Sequence, residues 1–194
     1  VGEPSASTEP HERSELDAIR RRILTSAVQL IDERGSTEIT LEDVAGHAGL
    51  NPHAAWVFFR NQDDLVVQAA LDLLQVEVFS HFAHAASSYA VPTASAYAFH
   101  FARHARFYRA AALGSARQAV QEALAEQLAH FAELDVLAVF AQNHGTRDVS
   151  SRIVDEAGEK VRQWLTSGSD DPTELFLELE ATFISTVKRA GWTN

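Results

Sequence analysis

The sequence predicts an all-α chain, and three observations carry that prediction. Apolar residues recur at three- and four-residue spacing through most of the chain. Gly35 and Gly49 fall where such runs end, and Asn51-Pro52 and Pro172 fall where new ones begin. No segment reads as a strand, and no segment repeats another.

Taken in order, residues 1-13 are polar, carry two prolines and read as a flexible tail. Ser14 with Asp17 is a capping-box variant, and Leu16, Ile19, Ile23, Ala27, Leu30 and Ile31 then run at helical spacing to Gly35. Thr40 is placed to cap a second helix, with Glu42 and Asp43 in its first turn and Val44, Ala45 and Ala48 on its inner face. Asn51 caps a short third helix that runs to about Phe58 or Phe59. Asn61 with Asp64 caps a long fourth helix carrying Leu65, Ala69, Leu73, Val76 and Phe79 towards Ala86. Pro92 breaks the pattern. Further helices are expected over 93–113, 115–134 and 148–166, with 135–145 ambiguous, and a last helix opens at Pro172.

Composition narrows the function classes. With 46% hydrophobic residues among 194, a substantial core is available. No run of about 18 apolar residues is present, so no membrane span is expected, and no secretory segment is read at the N-terminus. Cysteine is absent, which excludes disulfides, thiolate nucleophiles and cysteine-metal clusters. A cytoplasmic location is expected. The net charge of −11 opposes nucleic-acid binding unless the basic residues are placed locally.

Two short helices separated by Gly49 and Leu50, after a longer one, make a helix-turn-helix pattern. The segment from Ile23 to Val66 resembles the N-terminal domain of TetR-family regulators. The resemblance rests on Glu33 and Gly35; Thr40; Ala48, Gly49 and Leu50; Asn51; Trp56, Phe58 and Phe59; and Gln62, Asp63 and Leu65. The stretch from Ala157 to Phe183 is similar, more loosely, to the last helix pair of that family. The resemblance implies a helix-turn-helix domain over 14-66, joined by a long helix to a helical ligand-binding and dimerisation domain over 67-194.

It further implies DNA contacts from Arg20, Arg22, Thr40, Asn51, His53, Ala54, Trp56, Val57, Arg60 and Gln62. Thr40 and Asn51 are helix caps with or without DNA. His53 is placed to bond a base edge, and Ala54 and Val57 to touch thymine methyl groups. This chain departs from the family where Gly often stands (His53), and where Tyr, His and Lys often stand (Trp56, Phe58 and Gln62). Phe58 is expected to pack inward, and phosphate binding is expected to be weaker than in the family.

Aromatic residues cover several faces of the helix 93–113, which reads as buried. Phe99, His100, Arg103, His104, Phe107 and Phe131 are the candidates for a ligand pocket, and a hydrophobic or aromatic small effector is expected. His100 and His104, four residues apart, share a face, but a metal needs a third or fourth ligand. His81, His84 and His130 supply one only if the fold brings them near, and neither a metal nor a cofactor is expected. Val154, Val161, Trp164, Phe176 and Phe183 are the candidates for a homodimer interface; the other reading is that they complete the monomer core.

The expected function is ligand-responsive binding of palindromic operator DNA by a homodimer, acting as a repressor. The alternative is a TetR-like protein that has lost DNA binding and serves as a ligand- or protein-binding module. An enzyme using His100 or His104 is a third reading, but no nucleophile motif accompanies them.

Overall fold

The computed structural model describes residues 9–79, 94–140 and 146–191, and the side chains within 13–78, 94–129 and 147–191. Among them the only regular secondary structure is helical, joined by short turns, with no strand. The helices are α1 (Glu9–Arg34), α2 (Leu41–His47), a 3-10 helix (Pro52–Val57), α3 (Gln62–Leu74) continued by a π-helical turn (Gln75–Phe79), α4 (Ala94–Arg103), α5 (Ala105–Leu113), α6 (Arg117–Phe140), α7 (Thr146–Ser167) and α8 (Pro172–Arg189).

The caps explain most of these boundaries. Thr40 Oγ1 accepts from the Asp43 amide while the Asp43 carboxylate accepts from the Thr40 amide, a reciprocal box at the start of α2. Asn51, Asn61 and Asp171 each accept a backbone N–H from two or three residues onward. Gly49 carries the turn between α2 and the 3-10 helix at φ +65°, where a side chain is strained and a Cβ would also meet the Arg22 guanidinium 2.9 Å away.

Four boundaries differ from the sequence reading. α1 is already helical at Glu9, the first described residue, upstream of the expected start at Ser14. The third helix is 3-10 rather than α, with Ala54 N and Phe58 N each bonding back three residues, to Asn51 O and Ala55 O. The helix expected over 93–113 is two helices broken at His104, whose backbone (φ −108°, ψ 25°) leaves the α region. The ambiguous stretch after Leu134 continues α6 to Phe140. The expected course of the fourth helix beyond Phe79 lies outside the described residues.

One core serves both halves of the chain. Ile23, Leu24, Ala27 and Ile31 of α1 pack in the same cluster as Val44, Phe59 and Leu65 of the helix-turn-helix and Phe107, Tyr108, Trp164 and Leu175 beyond it. Phe59, Phe107, Ile23, Leu24 and Leu65 are fully buried, each contributing about 1.5–3 kcal/mol by leaving water. α1 packs on both α3 and α5, so the N-terminal head is seated on the C-terminal helices rather than tethered to them. One polar contact closes the same seam, Ser115 Oγ donating to Asp63 Oδ1 at 2.5 Å, while within the head the Gln62 amide donates to the Thr37 carbonyl. No helix among the described residues is long and apolar enough to cross a membrane.

Candidate nucleic-acid interface and ligand cavity

The helix-turn-helix expected from the spacing forms. α2 and the 3-10 helix pack on each other, with Leu50 N donating to Ala45 O at 2.9 Å across the turn. Ala55 is the buried anchor of the 3-10 helix, and Phe59 follows it into the core. With Ala55 inward, Asn51, His53, Trp56 and Val57 are exposed; Val57 keeps 72% of its surface and Trp56 50%. Ala54 is half-buried between them. Phe58 is half-buried against the core, as the departure from His at that place suggests.

The other candidate contacts divide. Arg22 is exposed and lies over Gly49. Arg60 is exposed and pairs with Asp64 at 3.4 Å. Arg20 is half-buried: its guanidinium donates to Gln68 Oε1 at 2.7 Å and lies 6.0 Å from the Phe59 ring centroid, so it braces α1 against α3 instead of facing outward. The Trp56 indole donates to Glu42 Oε1 at 2.7 Å, and that bond holds the Glu42 carboxyl below its usual pKa. The Gln62 amide is turned to the Thr37 carbonyl. Trp56 and Gln62 thus keep the donors expected of them, but both donors are already engaged within the protein.

A cavity of about 670 Å³ lies among α4, α5, α6, α7 and α8. Its wall is mostly apolar, with Tyr97 and Phe101 from α4, Tyr108 from α5, Leu124 from α6, and Val161 and Phe176 among those facing them. Its lining differs from the expected one. Phe99 is 62% exposed, Phe107 is fully buried in the core, and neither lines the cavity. His100, Arg103 and His104 do not line it either; they gather around Glu77. Phe131 lies outside the residues whose side chains are described. The helical course was read, but neither its break at His104 nor its inward face was. Aromatic residues surround it, so periodicity does not select a face, and the break at His104 turns α5 relative to α4.

The candidates for a dimer interface face inward. Val154, Val161, Phe176 and Phe183 line the cavity, and Trp164 is buried, donating its indole N–H to the Asp171 carbonyl at 3.1 Å. Within this one chain Val154 and Trp164 are buried, and Val161, Phe176 and Phe183 are half-buried along the cavity wall. The outward face of α8 carries Leu177, Ala181 and Ile184 instead, at helical spacing, with Leu177 57% and Ile184 45% exposed.

Glu77, on the π-helical turn, is the residue that the spacing of His100 and His104 did not reveal. His100 Nδ1 lies 3.1 Å from Glu77 Oε2, and His104 Nε2 lies 2.9 Å from Glu77 Oε1. Burial lowers the His100 pKa to about 4, so its ring is neutral. Burial raises the Glu77 pKa, but the His104 and His100 hydrogen bonds outweigh it and hold the carboxyl below its usual value. An ionised Glu77 only accepts, so His100 carries its proton on Nδ1 and accepts at Nε2 from the Tyr108 hydroxyl 2.8 Å away.

The architecture is that of an all-helical chain with a helix-turn-helix head seated on a hollow helical body. No protein-family model matches the chain. It is similar to the HTH-type transcriptional regulator BetI of Brucella canis, with 32% identity over 62 residues. The likeness covers 31% of this chain and 31% of the length of that regulator.

Proposed function

We propose that the chain is a ligand-responsive, DNA-binding transcriptional regulator of the TetR kind, acting in the cytoplasm as a homodimer that represses from a palindromic operator. The observation that carries this reading is the exposed edge Asn51, His53, Trp56 and Val57, held on a 3-10 helix whose opposite side is anchored by Ala55 and followed by Phe59. A second helical element presented this way across a glycine turn is how a helix-turn-helix enters the major groove. The similarity to a transcriptional regulator supports the same reading.

The apolar cavity suits a hydrophobic or aromatic effector. A route to the head is at hand: Leu74, at the end of α3, and Val78, on the π-helical turn that continues it, pack on Tyr97, Leu124 and Leu128, which also line the cavity. An occupant that shifts those three side chains moves the helix that begins beside the 3-10 element. Two heads in a dimer must match a spacing of about 34 Å, so a small tilt suffices. The exposed Leu177, Ala181 and Ile184 stripe is the surface proposed for dimerisation.

The second reading, a relative that has lost DNA binding, is favoured by the engaged donors of Trp56 and Gln62 and by the absence of Lys and Arg between Pro52 and Phe58. One titration separates the two. A fluorescent duplex from the region upstream of the gene is titrated with the protein at low and at physiological salt. Saturation at one dimer per palindrome, surviving competitor DNA and weakened by Val57→Asp, supports the regulator. Equal binding to scrambled DNA, or none, supports the second reading.

A further inference from the structure

We propose that Glu77, His100 and His104 form a binding site for a zinc-class divalent metal ion. Their ligating atoms all lie within 4.8 Å of one another, and they come from three places in the fold: the π-helical turn, α4 and the break between α4 and α5. Two imidazoles and one carboxylate are a common donor set for a zinc ion that keeps a fourth position open. Bonds of about 2.0–2.1 Å in a tetrahedron put the ligand atoms about 3.3 Å apart. The two glutamate–histidine separations, 3.1 and 2.9 Å, are already close to that. Each is made to a different carboxylate oxygen, so a shared metal needs Glu77 to chelate with both oxygens or to turn and present one, and the two histidine nitrogens to draw together.

The surroundings fit a built site. His100 is held from behind by the buried Tyr108 hydroxyl, the kind of outer partner that orients a ligating imidazole. On binding, the His100 proton moves from Nδ1 to Nε2, where it donates to Tyr108 Oη, and Nδ1 offers its lone pair to the metal. His104 likewise carries its proton on the nitrogen away from the metal. Arg103 lies 3.6 Å from Glu77 Oε1 and opposes a cation there, but its side chain is 71% exposed and free to swing into solvent. The π turn that carries Glu77 is a departure from regular helix of a kind that concentrates at functional sites. The site does not depend on the regulator reading, because it ties α3 to α4 and α5 whatever the head binds.

The test uses the full chain, stripped with chelator and titrated at neutral pH with zinc by calorimetry and with cobalt by visible absorption. One equivalent per chain, a rise in thermal stability with zinc, and strong cobalt ligand-field bands of low coordination number are expected. Glu77→Gln and His104→Gln keep hydrogen-bonding shape and should abolish the bands. Tyr108→Phe should weaken binding by about 10–100-fold, the usual loss for an outer partner. His47→Gln, at the exposed His47–Glu33 pair, should change nothing. Absence of saturable binding overturns the proposal, as does binding that survives both Glu77→Gln and His104→Gln in variants whose circular dichroism matches the parent.

Discussion

The indole Nε1 of Trp56 donates to Glu42 Oε1 at 2.7 Å, joining the 3-10 helix to the first turn of α2. The bond fixes the angle between the two elements and places a carboxylate on the face proposed for DNA. Glu42→Gln leaves the indole an acceptor and removes the charge. Affinity for an upstream duplex should rise by up to about fivefold at low salt, since one unit charge a few Å from a phosphate in water is worth about 1 kcal/mol. The gain should shrink as salt is added. Fluorescence anisotropy at two salt concentrations reads it. Unchanged or weaker binding by Glu42→Gln would remove α2 and the 3-10 helix from the proposed contact face.

Gly114 and Thr37 meet where the head is seated on the body. The Gly114 backbone, at φ −82° and ψ 179°, is open to any residue, so the demand there is for space. A Cβ on Gly114 would fall onto Thr37 Oγ1, well inside contact distance, and 3.2 Å from Thr37 Cβ. Thr37 is 3% exposed and has little room to retreat. Gly114→Ala should therefore destabilise by about 1–3 kcal/mol, the range for overpacking. Thr37→Ala in the same chain removes the hydroxyl and should restore part of the loss. Urea unfolding of the two single variants and the double variant gives the coupling. Additive losses would mean that the two residues do not share this space.

What the sequence made legible was local. Thr40, Asn51 and Asn61 were readable as caps because each bonds a backbone N–H only two or three residues away. The inward turn of Phe58 followed from a polar place filled by an apolar ring. What stayed hidden was tertiary. Glu77 reaches His100 and His104 across 23 and 27 residues, and no spacing rule spans that. Trp164 sits on an apolar stripe that serves equally for a monomer core or for a second copy, and periodicity does not choose between them. Arg20 looked like its neighbours Arg21 and Arg22 until the fold turned it onto Gln68 and Phe59.

Arg109 clasps the loop between α7 and α8. Its guanidinium donates to Leu165 O at 3.1 Å, Asp170 Oδ1 at 2.9 Å and Ser169 O at 2.5 Å, and lies 5.7 Å from the Trp164 ring centroid. A planar fork makes these contacts together, and a lysine ammonium does not. Arg109→Lys should cost about 1–3 kcal/mol despite the conserved charge. For a chain of this length, each kcal/mol lowers Tm by about 2–4 °C. An unchanged Tm would mean that the loop holds its place without the fork.

Asp72 faces a second, smaller cavity between α1 and α3, and burial raises the pKa of its carboxyl, an effect that Arg20 and Arg21 reduce without cancelling. The sign follows from proton counting. With a raised folded pKa, the native state binds more protons than the unfolded chain between the ordinary aspartate value and the raised one. Stability therefore falls as pH rises through that window and stays lowered above it. Asp72→Asn removes the ionisable group and keeps the shape, and Arg20 keeps its bond to Gln68. The variant should melt above the parent at neutral pH, and the difference should close as pH falls below about 4, where the parent carboxyl is protonated in both states. Thermal melts across that range read the effect. A variant that melts at or below the parent at neutral pH would show that the ionised carboxylate has a favourable partner outweighing its burial.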